Sequence, residues 1–182
     1  MKIISRPLSP VRKLGRRPLH KLNSTKFSFL SHGVSNTLKI GHRIARHLKI
    51  GDIVCLFGQL GSGKTVLTKA IAQGLGVKVS KVISPSFILI REHKGKVPFY
   101  HFDLYRLNTP RDILALGYEE YFYNDGITVI EWADRLRYLL PTEYLKIELF
   151  IKAPAQRLLR FSGKGAHYKE LLRSLEKIAR DL

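Results

Sequence analysis

The fold is decided by DIVCLFGQLGSGKTVLTKAIAQGL, residues 52–75. Within it Gly58, Gln59, Leu60, Gly61, Ser62, Gly63, Lys64 and Thr65 satisfy the phosphate-loop spacing G-x-x-x-x-G-K-[ST] at every fixed position. Two glycines ahead of a Lys-Thr pair can coincide in a basic chain, so the flanks carry the decision. Upstream, Ile53, Val54, Cys55, Leu56 and Phe57 form an apolar run of the kind found in a strand buried on both faces of a parallel sheet. Downstream, Val66, Leu67, Ala70, Ile71 and Leu75 recur at helical spacing, and Gly74 and Gly76 offer stop signals. Strand, glycine loop and helix in that order predict a single α/β domain, a P-loop NTPase-like mixed sheet flanked by helices.

The chemistry follows from the same residues. A loop short of Cβ atoms lets successive backbone N–H groups close around a polyphosphate, at a helix start whose dipole also favours negative charge. Gly58, Gly61, Ser62 and Gly63 would frame that cradle, Lys64 would reach the β- and γ-phosphates, and the Thr65 hydroxyl would hold Mg²⁺. Lys64 is expected to be solvent-accessible when the site is empty. The competing reading is a glycine-rich turn with a surface lysine.

At 182 residues the chain can bury a core without disulfides or structural metal, and no apolar run approaches a membrane span. The single Cys55 excludes a disulfide framework and reads as a small buried hydrophobe, which suits a reducing cytoplasm. The net charge of +18 is unevenly placed: residues 1–50 carry 12 Lys or Arg and no acid, and residues 51–150 carry 12 basic and 11 acidic residues. Residues 1–26 mix Pro7, Pro10 and Pro18 with Arg and Lys without a sustained period, and read as a flexible basic arm preceding a domain at 27–182. Three readings of the arm stay open: an RNA or acidic-partner contact, a targeting peptide, or a solvated extension, including one from a mis-assigned start codon.

Along the domain, residues 27–30 read as a strand, 31–33 as a turn, and 36–48 as a helix whose apolar stripe alternates with Lys39, Arg43, Arg46 and Lys49. That basic face is read as solvated. Residues 82–90 begin as a Ser-Pro turn and run into a strand; 93–96 turn the chain, and 97–107 return antiparallel. Alternation puts His101, Asp103 and Tyr105 on one polar face and Tyr100, Phe102 and Leu104 on the other. A short helix follows at 110–116 with Thr109 as N-cap and Gly117 as stop. Strands are expected at 127–130, 144–151 and, briefly, 157–161, and an amphipathic helix at 168–182.

Hydrolysis needs acids at the carboxyl ends of strands, beside the phosphate loop. Glu131 ends a buried-type run in the position of a Walker-B-like acid, and Asp103 could hold Mg²⁺ or orient water; a surface or ion-paired role is the alternative for each. Ser84 and Ser86 flank Pro85 with hydroxyls suited to a nucleotide-sensing switch, or make an ordinary turn. His101 reads as a structural histidine with Asp103 as its candidate partner, and Trp132 as packing.

Taken together, GQLGSGKT, SPSF, YHFDLYRL and IEWADRL, in this order and at these separations, closely resemble the TsaE (YjeE) family from about residue 31 to the end. The resemblance implies a bacterial P-loop ATPase needed to make threonylcarbamoyladenosine at position 37 of tRNAs that read codons beginning with A. It implies an accessory ATPase working with the TsaB–TsaD pair, in which TsaD carries out the transfer. It assigns Gly61, Ser62, Gly63, Lys64 and Thr65 to the ATP phosphates, Thr65 and Glu131 to Mg²⁺, and Asp103 to hydrolysis. By the same resemblance Ser84 to Ser86 form the switch, Trp132 lies near the nucleotide, and Arg157 is a late nucleotide contact. Ser86 stands where the family usually has Thr, which keeps the hydroxyl. A monomer or weak oligomer without membrane contact is expected, touching tRNA indirectly or through its basic ends. Two alternatives remain: a small-molecule or nucleoside kinase on the same loop, and a non-enzymatic RNA-binding module.

Overall fold

A computed structural model describes residues 26–78, 89–122 and 125–180. Its centre is strand β2 (Ile53–Phe57), hydrogen-bonded in parallel to β5 (Ile127–Glu131) on one side and β6 (Tyr144–Ile151) on the other. The apolar run has no polar alternation because both of its faces are covered: Val54 and Leu56 enter one core, Ile53 and Cys55 the other. Cys55 is fully buried, and burial pushes its thiol pKa far up, which leaves it an inert core atom.

The seven strands lie in the order β1-β7-β6-β2-β5-β4-β3. Strand β4 (Pro98–Asp103) runs parallel to β5, while β1 (Lys26–Ser31), β7 (Arg157–Lys164) and β3 (Ile90–Lys94) are the antiparallel additions at the two edges. This is the mixed sheet expected. Its register sets Leu56 beside Glu131 and Glu131 beside Asp103, so the carboxyl ends of β2, β5 and β4 finish together.

Helices α1 (Val34–Ala45), α2 (Lys64–Gly74) and α5 (Ala166–Ala179) cover one face of the sheet. The other face packs against α3 (Pro110–Leu114), α4 (Glu119–Phe122) and a 3₁₀ segment, Ala133–Leu139. Helices α1 and α2 meet without intervening side chains: a Cβ on Gly41 would collide with that of Ala70, and one on Gly74 with that of Ala45. Gly41→Val is therefore expected to force the helices apart and cost about 1–3 kcal/mol. Urea unfolding would read this as a lowered midpoint; an unchanged midpoint would refute the close packing.

Several boundaries differ from the sequence reading. Strand β4 ends at Asp103, so Tyr105 leaves the polar face and sits in the following turn; His101 and Asp103 are buried rather than lining an open face. Strand β3 continues through His93 and Lys94, which were expected to turn, because both pair with β4. Strand β7 runs on to Lys164, held by β6 along its whole length. Thr109 caps α3 in a reciprocal capping box with Asp112, and Gly117 stops the segment at φ +62°, as expected. Helix α4 carried no sequence signal. The Ser84-Pro85-Ser86 turn and residues 1–25 of the arm lie outside the described residues, and Lys26 itself opens β1.

Candidate nucleotide site

The glycine loop leaves β2 at Gly58 and enters α2 at Lys64. Gly61 and Gly63 hold φ of +75° and +99°, where an L side chain is strained. Nothing stands within 4 Å of where their Cβ atoms would be, so it is backbone conformation and not crowding that calls for glycine there. Gly58 is required for a different reason: a Cβ there would meet the Leu149 carbonyl at 2.5 Å and the Ser62 hydroxyl at 2.8 Å. Helix α2 begins without a side-chain cap and without an acid in its first turn, which leaves its first N–H groups for an anion.

Lys64 corrects the sequence expectation, for it is only 5% exposed. Its ammonium donates to the carbonyls of Gly58 at 2.6 Å and Gln59 at 3.1 Å, and lies 3.6 Å from the centre of the Trp132 ring. Burial lowers its pKa, and the charges of Glu131, Asp134 and Asp103 act against that shift.

Across the loop, Thr65 Oγ1 donates to Glu131 Oε2 at 2.8 Å. The other oxygen, Glu131 Oε1, is 2.8 Å from His101 Nε2, and both side chains are buried. His101 thus pairs with the neighbouring strand's acid and not with Asp103, two residues on in its own strand. Asp103 Oδ1 accepts the Tyr105 N–H at 3.1 Å and sits abreast of Glu131 at the sheet's carboxyl edge.

Two further groups close on the loop. Trp132 adopts a left-handed backbone, φ 59° and ψ 43°, which an aromatic residue rarely occupies, and its ring contacts that of Tyr105 with centroids 4.9 Å apart. Arg157, at the start of β7, donates from Nη1 to the carbonyls of Ala153, Pro154 and Gln156 and from Nη2 to Gly61 O at 3.2 Å. It therefore braces the phosphate loop itself. Lys64, Thr65, Asp103, Glu131, Trp132 and Arg157 come together; Ser84 and Ser86 lie outside the described residues. His101's link to Glu131 was missed, since strand alternation places a residue on a face without saying which neighbouring strand it meets.

A nucleotide polyphosphate with a divalent cation fits these residues. The Ser62 hydroxyl is buried with no hydrogen-bond partner, next to Gly58 in the same loop. The Thr65 hydroxyl and Glu131 carboxylate present hard oxygens of the kind Mg²⁺ prefers.

Residues 31–159 match the family model described as Threonylcarbamoyl adenosine biosynthesis protein TsaE. The chain is 37% identical over 142 residues to the tRNA threonylcarbamoyladenosine biosynthesis protein TsaE of Bacillus subtilis (strain 168), covering 78% of this chain and 88% of the relative. It is 35% identical to the protein of the same name from Treponema pallidum (strain Nichols), over 70% of this chain and 94% of the relative. The crystal structure of YdiB from Bacillus subtilis superposes with a TM-score of 0.70 at 31% identity, over 84% of this chain and 95% of that one.

Proposed function

The chain belongs to the TsaE family, and from that premise we propose that it binds ATP with Mg²⁺ and hydrolyses it slowly. On this reading it supports a TsaB–TsaD transferase in forming threonylcarbamoyladenosine at position 37 of tRNAs that read codons beginning with A, and works in the cytoplasm. The observation that carries the ATPase reading is the 2.8 Å link between Thr65 and Glu131 across the glycine loop, a hydroxyl and a carboxylate set where metal-held phosphate belongs.

The roles divide among the chain's own groups. The N–H groups from Gly61 to Thr65 cradle the phosphates. Lys64 exchanges its two loop carbonyls for phosphate oxygens. Thr65 and Glu131 hold the cation, with His101 fixing the far oxygen of the carboxylate. Bound Mg²⁺ supplies neutralisation of the charge that develops between the β- and γ-phosphates. Asp103 accepts a hydrogen bond from the attacking water and orients it. Trp132 keeps its strained backbone to hold an aromatic face over Lys64, and Arg157 keeps Gly61 in place. Ser84 and Ser86 sense the γ-phosphate.

The test is ATP turnover by the purified chain, alone and with a matched TsaB–TsaD pair. Slow turnover that rises when the pair is added is the expected result. Turnover indifferent to the pair, yet raised by a nucleoside or metabolite that becomes phosphorylated, would replace this reading with a kinase.

A further inference from the structure

Charge separates across the sheet. From residue 26 to residue 78 the only acid is Asp52, and it is buried, accepting the Lys49 N–H at 2.7 Å and lying 2.7 Å from His167 Nε2. The same stretch carries eight Lys or Arg. On the opposite face, residues 104–143 carry seven acids and four basic residues. One helical layer is therefore strongly positive and the other is not.

Within the positive layer the charges form two stripes. Lys39, Arg43 and Arg46 fall at i, i+4 and i+7 on α1 and the turn after it, and Lys169, Arg173 and Lys177 at i, i+4 and i+8 on α5. The helices run antiparallel side by side: Arg43 Nη1 donates to Ile178 O at 2.9 Å, while Arg46 and Lys49 share a groove with His167, Glu170 and Ser174. Of the two acids on α5, Glu176 is taken by Arg180 at 2.7 Å, which leaves Glu170 as the exposed negative charge in the groove. Lys26, the first residue of β1, lines a groove with Ala179 and Arg180 at the end of α5.

We propose that the α1–α5 face is an RNA-binding surface that holds the tRNA phosphate backbone. Positive charge in register on two helices matches a polyanion. What the face lacks argues against an acidic protein, because protein interfaces are centred on apolar and aromatic anchors. Among the described residues the exposed apolar side chains lie elsewhere: Leu60, Phe150 and Ile151 at the phosphate-loop end, Tyr105 beside Trp132, and Leu114 and Tyr138 on the opposite layer. Only Val34 and Ile50, at the ends of the α1 segment, and Leu30 on edge strand β1 border the basic face.

The choice of tRNA as the RNA rests on the pathway reading above; the charge argument does not. The experiment is fluorescence anisotropy of a labelled tRNA transcript with the full chain between 50 and 200 mM KCl. The comparison variant is Lys39→Ala/Arg46→Ala/Lys169→Ala/Lys177→Ala, all exposed positions away from the phosphate loop. Wild-type affinity should fall about tenfold or more across that salt range, as counterion release requires. The fourfold variant should bind about tenfold or more weakly at 50 mM with a flatter salt slope, while its melting temperature and ATP turnover stay unchanged. If it melts early, the single-helix pairs Lys39→Gln/Arg46→Gln and Lys169→Gln/Lys177→Gln take its place. No binding at 50 mM, variant binding equal to wild type, or tighter binding of a polyglutamate peptide than of tRNA would each overturn the proposal. Salt-dependent tRNA binding by a chain without ATP turnover would uphold it and remove the ATPase reading instead.

Discussion

Lys64→Ala is expected to lose ATP binding by about 100-fold or more and to bring turnover to background, without loss of fold. The ammonium belongs to the loop's own lysine and already donates within the glycine loop, to the Gly58 and Gln59 carbonyls. Charge-assisted bonds from it to two phosphate oxygens would be worth about 3 kcal/mol in sum, hence the factor. The stability effect has the opposite sign. Burial lowers the Lys64 pKa in the folded chain below its ordinary value, so the folded state holds the proton less tightly than the unfolded chain. A charged Lys64 therefore works against folding at neutral pH, and that burden lifts as pH rises from the lowered value towards the ordinary lysine range.

Lys64→Met tests this effect, since it keeps an unbranched apolar stem while removing the charge together with the donors to Gly58 and Gln59. It should melt at or above wild type at pH 7, and the gap should narrow as pH climbs. Calorimetry at pH 7 and at pH 9.5, beside ATP binding by either variant, reads both halves. Normal ATP affinity in Lys64→Ala would remove the nucleotide site. A Lys64→Met protein that melts well below wild type would show the ammonium to be a structural strut of the loop.

The parts of this site that sequence made legible are those with a fixed local spacing. The strand, the glycine loop and the start of α2 follow from residues 53–67 because each element's backbone needs are written in its own residues: an unbroken apolar run, glycines at positive φ, then helical periodicity. Glu131 was legible for the same reason, as an acid closing a buried run. Contacts made across the sheet were not. Strand pairing order is set by the packing of α1, α2 and α5 on one face and α3, α4 and the 3₁₀ segment on the other, and it is this order that brings His101 to Glu131 and Arg157 to Gly61. The burial of Lys64 was likewise hidden, because it depends on Trp132, 68 positions away, turning its ring over the ammonium from a left-handed backbone.

Glu131→Gln should reduce Mg²⁺-dependent turnover by about 100-fold or more while the chain keeps its fold and its metal-free nucleotide affinity. The amide matches the carboxylate in shape. Its oxygen can accept from His101, and its NH₂ can donate to Thr65 Oγ1 with the hydroxyl reversed, so both links of 2.8 Å survive. What is lost is the negative charge that a divalent cation needs. Glu131→Ala removes the links as well: Thr65 and His101 lose their shared acceptor, and His101 Nδ1 already has no partner. A buried group such as His101 left without its partner costs about 1–3 kcal/mol, so the Ala variant should melt below the Gln variant. The ordering separates two roles that a single substitution would merge. A Gln variant that is folded and inactive places the Glu131 charge at the metal. A Gln variant that turns over ATP normally, with only the Ala variant impaired, would make Glu131 a clamp between β5, β4 and α2, and would shift the metal and the water to Asp103, its neighbour in register on β4.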